Sequence, residues 1–276
     1  MDTVTPSLSA SELLHRLGSA QAPLVVDVRR AEAFAADETL IAGATWRDPF
    51  AVADWERYLP RHRPVAVYCV HGHEISRNAC GALRAAGVDA RYLEGGIEAW
   101  RAAGAPTIRK LADPAIPSRP NAPSVWATRE RPKIDRIACP WLIRRFIDPL
   151  AQFEYFAPSE VFDRARVRGA TPYDVPGARF THRGERCSFD AFLEDFGLCD
   201  PSLDRLARIV RGADTDRPEL APESAGLAAI SLGLGERCSD DQELLERGLV
   251  LYDALFAWCR RQSPGRAQHR DGKGPA

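Results

Sequence analysis

Val65-Ala66-Val67-Tyr68-Cys69-Val70-His71-Gly72-His73-Glu74-Ile75-Ser76-Arg77 is the stretch that decides how the first half of this chain folds. The apolar run reads as a buried strand, and it ends in a cysteine. A tight loop containing Gly72 follows. A helical pattern then runs from Ser76 to Ala86, with Gly87 as its stop. A thiol between a strand end and a helix start sits where loop N–H groups and the helix dipole favour negative charge. The same cradle binds tetrahedral oxyanions. A nucleophilic sulfur beside an oxyanion hole points to group transfer through a covalent Cys69 intermediate.

The surrounding sequence alternates strand and helix. Ser9-Ala10-Ser11-Glu12 is a capping box opening a short helix. Strands are expected near Leu24–Val28, Ala66–Tyr68 and Ala90–Leu93. Helices are expected near Ala31–Ala36, Ala51–Tyr58 and Ser76–Ala86. This order predicts a mostly parallel sheet with helices on both faces.

Four motifs in order resemble the rhodanese family. They are Leu24-Val25-Val26-Asp27-Val28-Arg29, Ile41-Ala42-Gly43-Ala44, the Cys69 loop, and Leu93-Glu94-Gly95-Gly96-Ile97-Glu98-Ala99-Trp100. The resemblance implies a small α/β domain. It also implies a Cys69 persulfide carried from a small-molecule donor such as thiosulfate to an acceptor thiol. Counted to Ile75, the loop is about one residue longer than the usual sulfurtransferase loop. Longer loops of this kind occur in the phosphatase and arsenate-reductase relatives. Those relatives carry arginine at the loop end, where this chain has Ile75; Arg77 follows on the helix.

Cys69, His71, Gly72, His73, Asp27 and Arg77 form the expected catalytic set. His71 and His73 either orient substrate or hold Cys69 as thiolate. Asp27 either touches the loop or makes a structural hydrogen bond. Cys80 reads as a packed core thiol.

The chain has 276 residues, 45% hydrophobic and 27% charged, with a formal net charge of −1. That length suits two domains, and that charge offers no general attraction for nucleic acid or anionic membrane. Residues 1–20 show no signal peptide, and no apolar run approaches a membrane span. Seven widely spaced cysteines suggest reduced thiols in the cytoplasm. The expected division is a rhodanese-like domain at 1–108, a Pro-rich linker at 109–124, a mainly α-helical second domain with some strand at 125–261, and a disordered tail at 262–276.

Trp126-Ala127-Thr128-Arg129-Glu130-Arg131-Pro132-Lys133-Ile134-Asp135-Arg136-Ile137-Ala138-Cys139-Pro140-Trp141-Leu142-Ile143-Arg144-Arg145-Phe146 resembles the start of the C-terminal domain of chromate-resistance proteins. Segments around His182–Asp190 and Ile209–Thr215 continue the likeness. From Trp126 the pattern is mainly helical, with Gly169–Arg186 loop-like. Proline suits the first helical position, so Cys139 before Pro140 is a candidate N-cap thiol. With Arg136, Arg144 and Arg145 it would meet an oxyanion such as chromate. The competing reading pairs these arginines with Asp135, Asp148 and acidic helices, and buries Cys139 as a small hydrophobe. His182 and Cys187, joined by Cys139 or Asp214, are candidate ligands for a transition metal.

The expectation is therefore a cytoplasmic sulfurtransferase coupled to a chromate-resistance-like domain in oxyanion stress. The alternatives are an oxyanion- or metal-binding redox sensor and a thiol-based oxyanion reductase.

Overall fold

A computed structural model describes residues 5–112, 115–116 and 123–262. In the first half the order is β1 (Ser7–Leu8), α1 (Ala10–Arg16), β2 (Leu24–Asp27), α2 (Ala31–Ala36), β3 (Thr39–Ile41), β4 (Ala44–Trp46), α3 (Val52–Trp55), β5 (Val65–Tyr68), α4 (Glu74–Ala85), β6 (Ala90–Leu93), α5 (Gly96–Ala102) and β7 (Thr107–Arg109). Five strands form one sheet in the order β1-β6-β5-β2-β4, every neighbouring pair parallel. All residues of β2 and β5 are buried, as continuous apolar strands covered on both faces require. The capping box of α1 forms: Ser9 Oγ accepts from Glu12 N at 3.2 Å, and Glu12 accepts from Ser9 N at 2.7 Å.

The proline-rich stretch begins as structure. β7 pairs antiparallel with β3, and β8 (Leu111–Ala112) pairs with β9 (Ala115–Ile116). Residues 113–114 and 117–122 of the expected linker lie outside the described residues. So does the expected tail beyond Gln262.

The second half runs β10 (Val125–Arg129), α6 (Asp135–Leu142), β11 (Gln152–Phe156), α7 (Val161–Arg168), β12 (Thr171–Pro172), α8 (Ser188–Phe196), α9 (Pro201–Asp214), α10 (Ser224–Arg237) and α11 (Asp241–Gln262). It is mostly helical with some strand, as expected, and it opens on a strand that the sequence reading did not place. That segment is β10, the middle strand of a parallel three-stranded sheet ordered β11-β10-β12. The helices pack around stacked aromatics: Phe180 lies 4.4 Å from Phe192, and Trp126 meets both rings.

One apolar cluster includes Leu13 of α1 and Leu17 just after it together with Phe146 and Phe256 of the second half. The Arg260 guanidinium donates to the carbonyls of Leu14, His15 and Leu17 at 3.0–3.1 Å. A cation there suits the C-terminal end of α1.

Candidate functional site

Cys69 follows β5, the middle strand of the five, and is only 6% exposed. Its loop rests on α5. Ile97 N donates to Cys69 O at 3.0 Å, and Glu98 N donates to Val70 O at 3.3 Å. The approach is so close that Gly96, at φ +57°, has no room for a side chain: a Cβ would lie 2.3 Å from Cys69 O and 2.4 Å from Val70 O. Gly72, at φ +69°, is held the same way; its Cβ would lie 2.5 Å from Leu93 O. The Gly-Gly motif is thus the platform of the thiol loop.

The loop is shorter than the sequence count suggested. α4 starts at Glu74 with His73 as N-cap, so Glu74 and Ile75 belong to the helix. A carboxylate suits the first turn, and Ile75 packs on the apolar cluster beneath, which draws both residues in. Counted to the helix start, the loop runs from Cys69 to His73, and the longer count to Ile75 takes in the first two residues of α4. Ser76, in the first turn of α4, places its Oγ 3.3 Å from Cys69 Sγ and donates to His73 O at 3.2 Å.

Of the other expected residues, His71 is exposed, with Nδ1 3.0 Å from Glu98 Oε2. The His71 and His73 rings lie 5.8 Å apart. Arg77 sits on α4 with its guanidinium 5.0 Å from the Tyr92 ring centroid. Asp27 is fully buried and accepts from Tyr68 Oη at 2.9 Å and from Arg29 Nε at 2.8 Å. Asp27 and Tyr68 are register partners. Asp27 thus braces the strand residue before Cys69 by the structural hydrogen bond. Cys80 is buried in α4, and burial pushes its thiol up to about 11.

In the second half Cys139 is not an N-cap. It lies inside α6, whose N-cap is Ile134, and it is fully buried. Burial, reinforced by Asp135 and Asp174, raises its thiol well above the usual range. Pro140 is accommodated within the helix because the carbonyl it leaves without an N–H partner, that of Arg136, accepts instead from Tyr173 Oη at 3.3 Å. The expected anion-binding arginines are committed to acids. Arg136 Nε lies 3.4 Å from Asp174, Arg144 pairs with Glu246 at 2.6 Å, and Arg145 holds Asp253 through two bonds of 2.8 and 2.9 Å. Cys187 is the buried N-cap of α8, its Sγ 3.4 Å from Asp190 Oδ2, and burial raises its thiol strongly.

His182 and Asp214 do come together, around two carboxylates not expected as partners. His182 Nε2 lies 3.0 Å from Asp214 Oδ2, 3.5 Å from Asp174 Oδ1 and 3.7 Å from Asp135 Oδ2. Hydrogen bonds to Asp174 and Asp214 push the imidazole up to about 10, against the effect of burial. Burial and the charges of Asp214 and Asp174 raise the Asp135 carboxyl well above its usual value. Burial works upward on Asp174 too, but bonds from His182, Ser188 and Arg129 outweigh it and lower that carboxyl. These carboxylates are scattered through the sequence, which gives no local signal of their convergence.

A parallel α/β domain with a thiol at a central strand end, seated on a Gly-Gly platform, defines the rhodanese class. The rhodanese-like domain model matches residues 9–103, and the model of the ChrB C-terminal domain matches residues 126–259. The chain belongs to the rhodanese-like family and joins that domain to a ChrB-like C-terminal region. It is 39% identical over 98 residues to thiosulfate sulfurtransferase GlpE of Pseudomonas putida, covering 35% of this chain and 83% of that protein. It is 39% identical over 132 residues to Protein ChrB of Cupriavidus metallidurans, covering 48% of this chain. The chain spans only 39% of the length of that ChrB. Among solved structures, a rhodanese-related protein from Thermoplasma volcanium is 28% identical, with a TM-score of 0.33, over 37% of this chain and 96% of that one. A rhodanese-like domain protein from Staphylococcus aureus is 27% identical, with a TM-score of 0.32, over 34% and 90%. Among the described residues, no helix is long and apolar enough to cross a membrane.

Proposed function

We propose that the chain is a cytoplasmic sulfurtransferase that carries a persulfide on Cys69 and serves in chromate or other oxyanion stress. The observation that carries the reading is the seat of Cys69 Sγ: at the end of β5, ahead of the α4 N-terminus, 3.3 Å from Ser76 Oγ.

The Cys69 thiolate attacks the outer sulfur of thiosulfate. The new S–S bond forms as the old one breaks, and sulfite leaves with the electron pair. An acceptor thiolate, or cyanide in the assay, then attacks the outer sulfur and releases Cys69 as thiolate. The Ser76 hydroxyl turns from the His73 carbonyl to donate to the sulfur anion. His71, held by Glu98, stands at the exposed side of the loop to meet the donor's sulfonate.

The GlpE relative, named for this activity, supports the reading, and the ChrB relative supports the chromate setting. Thiosulfate:cyanide transfer should vanish in Cys69→Ser and survive in Cys80→Ser. Undiminished transfer in Cys69→Ser overturns the assignment.

A further inference from the structure

We propose that Asp135, His182 and Asp214 form a site for one divalent first-row transition-metal ion in the ChrB-like region. The three side chains come from the start of α6, the loop before α8 and the end of α9. Their ligand atoms all lie within 4.8 Å of one another. One imidazole nitrogen with two carboxylate oxygens suits zinc, iron(II) or manganese(II), whereas calcium and magnesium prefer oxygen alone.

The charges sort the three carboxylates. Asp174 already has Arg129 at 2.9 Å, Arg136 at 3.4 Å and the Ser188 hydroxyl at 2.7 Å. That leaves the carboxylate oxygens of Asp135 and Asp214 beside the His182 nitrogen as the ligand atoms for one dication, which takes the place of any proton they share. Asp135 is itself aimed by the first turn of α8: Ser188 N donates to Oδ2 at 2.5 Å and Phe189 N to Oδ1 at 3.3 Å. Hydrogen bonds that fix a ligand's orientation are a usual feature of metal sites. The backbone is strained around the same cluster: Ile134, Asp174 and Asp216 have φ of +32°, +49° and +53° without being glycine. His182 is 43% exposed, so an ion reaches the site from solvent on the imidazole side, and three protein ligands leave positions for water or a further ligand. Cys187, expected among the ligands, is outside this set; its sulfur faces Asp190 instead. The inference is independent of the role given to Cys69.

The test uses the full chain without a histidine tag, stripped with chelator and titrated with zinc(II) and cobalt(II). One ion should bind per chain. The cobalt form should show visible ligand-field bands of a nitrogen and oxygen environment, without thiolate charge transfer. His182→Ala and Asp214→Asn should each weaken binding by at least about tenfold. Cys187→Ser and His71→Ala should bind as the parent does. Thiosulfate:cyanide transfer by His182→Ala should equal that of the parent, which separates this site from the sulfur chemistry. Absence of stoichiometric binding, binding unchanged in both ligand variants, or binding lost through Cys187 or His71 overturns the proposal. Asp135→Asn is set aside because its buried carboxyl also caps α8.

Discussion

Gly96→Ala is the sharpest perturbation of the thiol loop that spares the thiol itself. At φ +57° an alanine pays the left-handed penalty of about 1–2 kcal/mol. Its Cβ would also stand 2.3 Å from Cys69 O and 2.4 Å from Val70 O, both backbone atoms with no rotamer to move. The loop must lift, which weakens the bonds from Ile97 N and Glu98 N at about 0.5–1.5 kcal/mol each. Together these give roughly 2–5 kcal/mol, or a fall in Tm of roughly 5–15 °C. A shift of about 1 Å in the nucleophile lowers transfer by about a hundredfold. Gly87→Ala is the control, since Gly87 has φ +81° but open space around its Cβ. It should lose only the backbone term and keep the parent's transfer rate. Thermal melts and thiosulfate:cyanide kinetics of both variants decide. If Gly96→Ala matches Gly87→Ala in both, the platform reasoning is wrong.

Tyr173→Phe should cost about 1–3 kcal/mol in urea unfolding, because the Arg136 carbonyl that Pro140 leaves free then has no donor; an unchanged midpoint contradicts this account of the proline. In the metal-free chain, His182 should remain protonated at neutral pH, since its folded value of about 10 lies above the ordinary one of 6.5. Its contribution to stability is then complete below pH 6.5 and is lost as pH rises towards 10. With the side chain 43% exposed, solvent screening holds that contribution to about 1 kcal/mol. The stability gap between the parent and His182→Asn should close over that window, and an imidazole titrating near 6.5 by NMR contradicts it.

Local pattern served well where structure is local. The apolar run into Cys69 and the capping box at Ser9 are each set by neighbours in sequence, and each could be read there; Gly95-Gly96 was legible only through the family likeness, because its contacts with Cys69 and Val70 lie far along the chain. The start of α4 carries no strong mark in sequence, and the packing of Ile75 draws Glu74 and Ile75 into the helix. Cys139 reads as an N-cap because proline suits the first helical position. The hydroxyl that makes Pro140 tolerable belongs to Tyr173, far along the chain. β10 is the middle strand of a small sheet and its three central residues are all buried, so Val125–Arg129 shows no alternation to read. His182 and Asp214 were legible as ligand types. Asp135 was read only as an ion-pair partner for arginines, because its meeting with them depends on how α6, α8 and α9 pack.

The central claim is sulfur carried on Cys69, and peptide mass spectrometry tests it most directly. The full chain is treated with thiosulfate, freed of excess, alkylated, digested and mapped. The Cys69 peptide should gain the mass of one sulfur atom, and cyanide treatment before alkylation should remove it. A Cys69 peptide that gains no sulfur, with the chain unmodified or the sulfur carried on another cysteine, contradicts the claim.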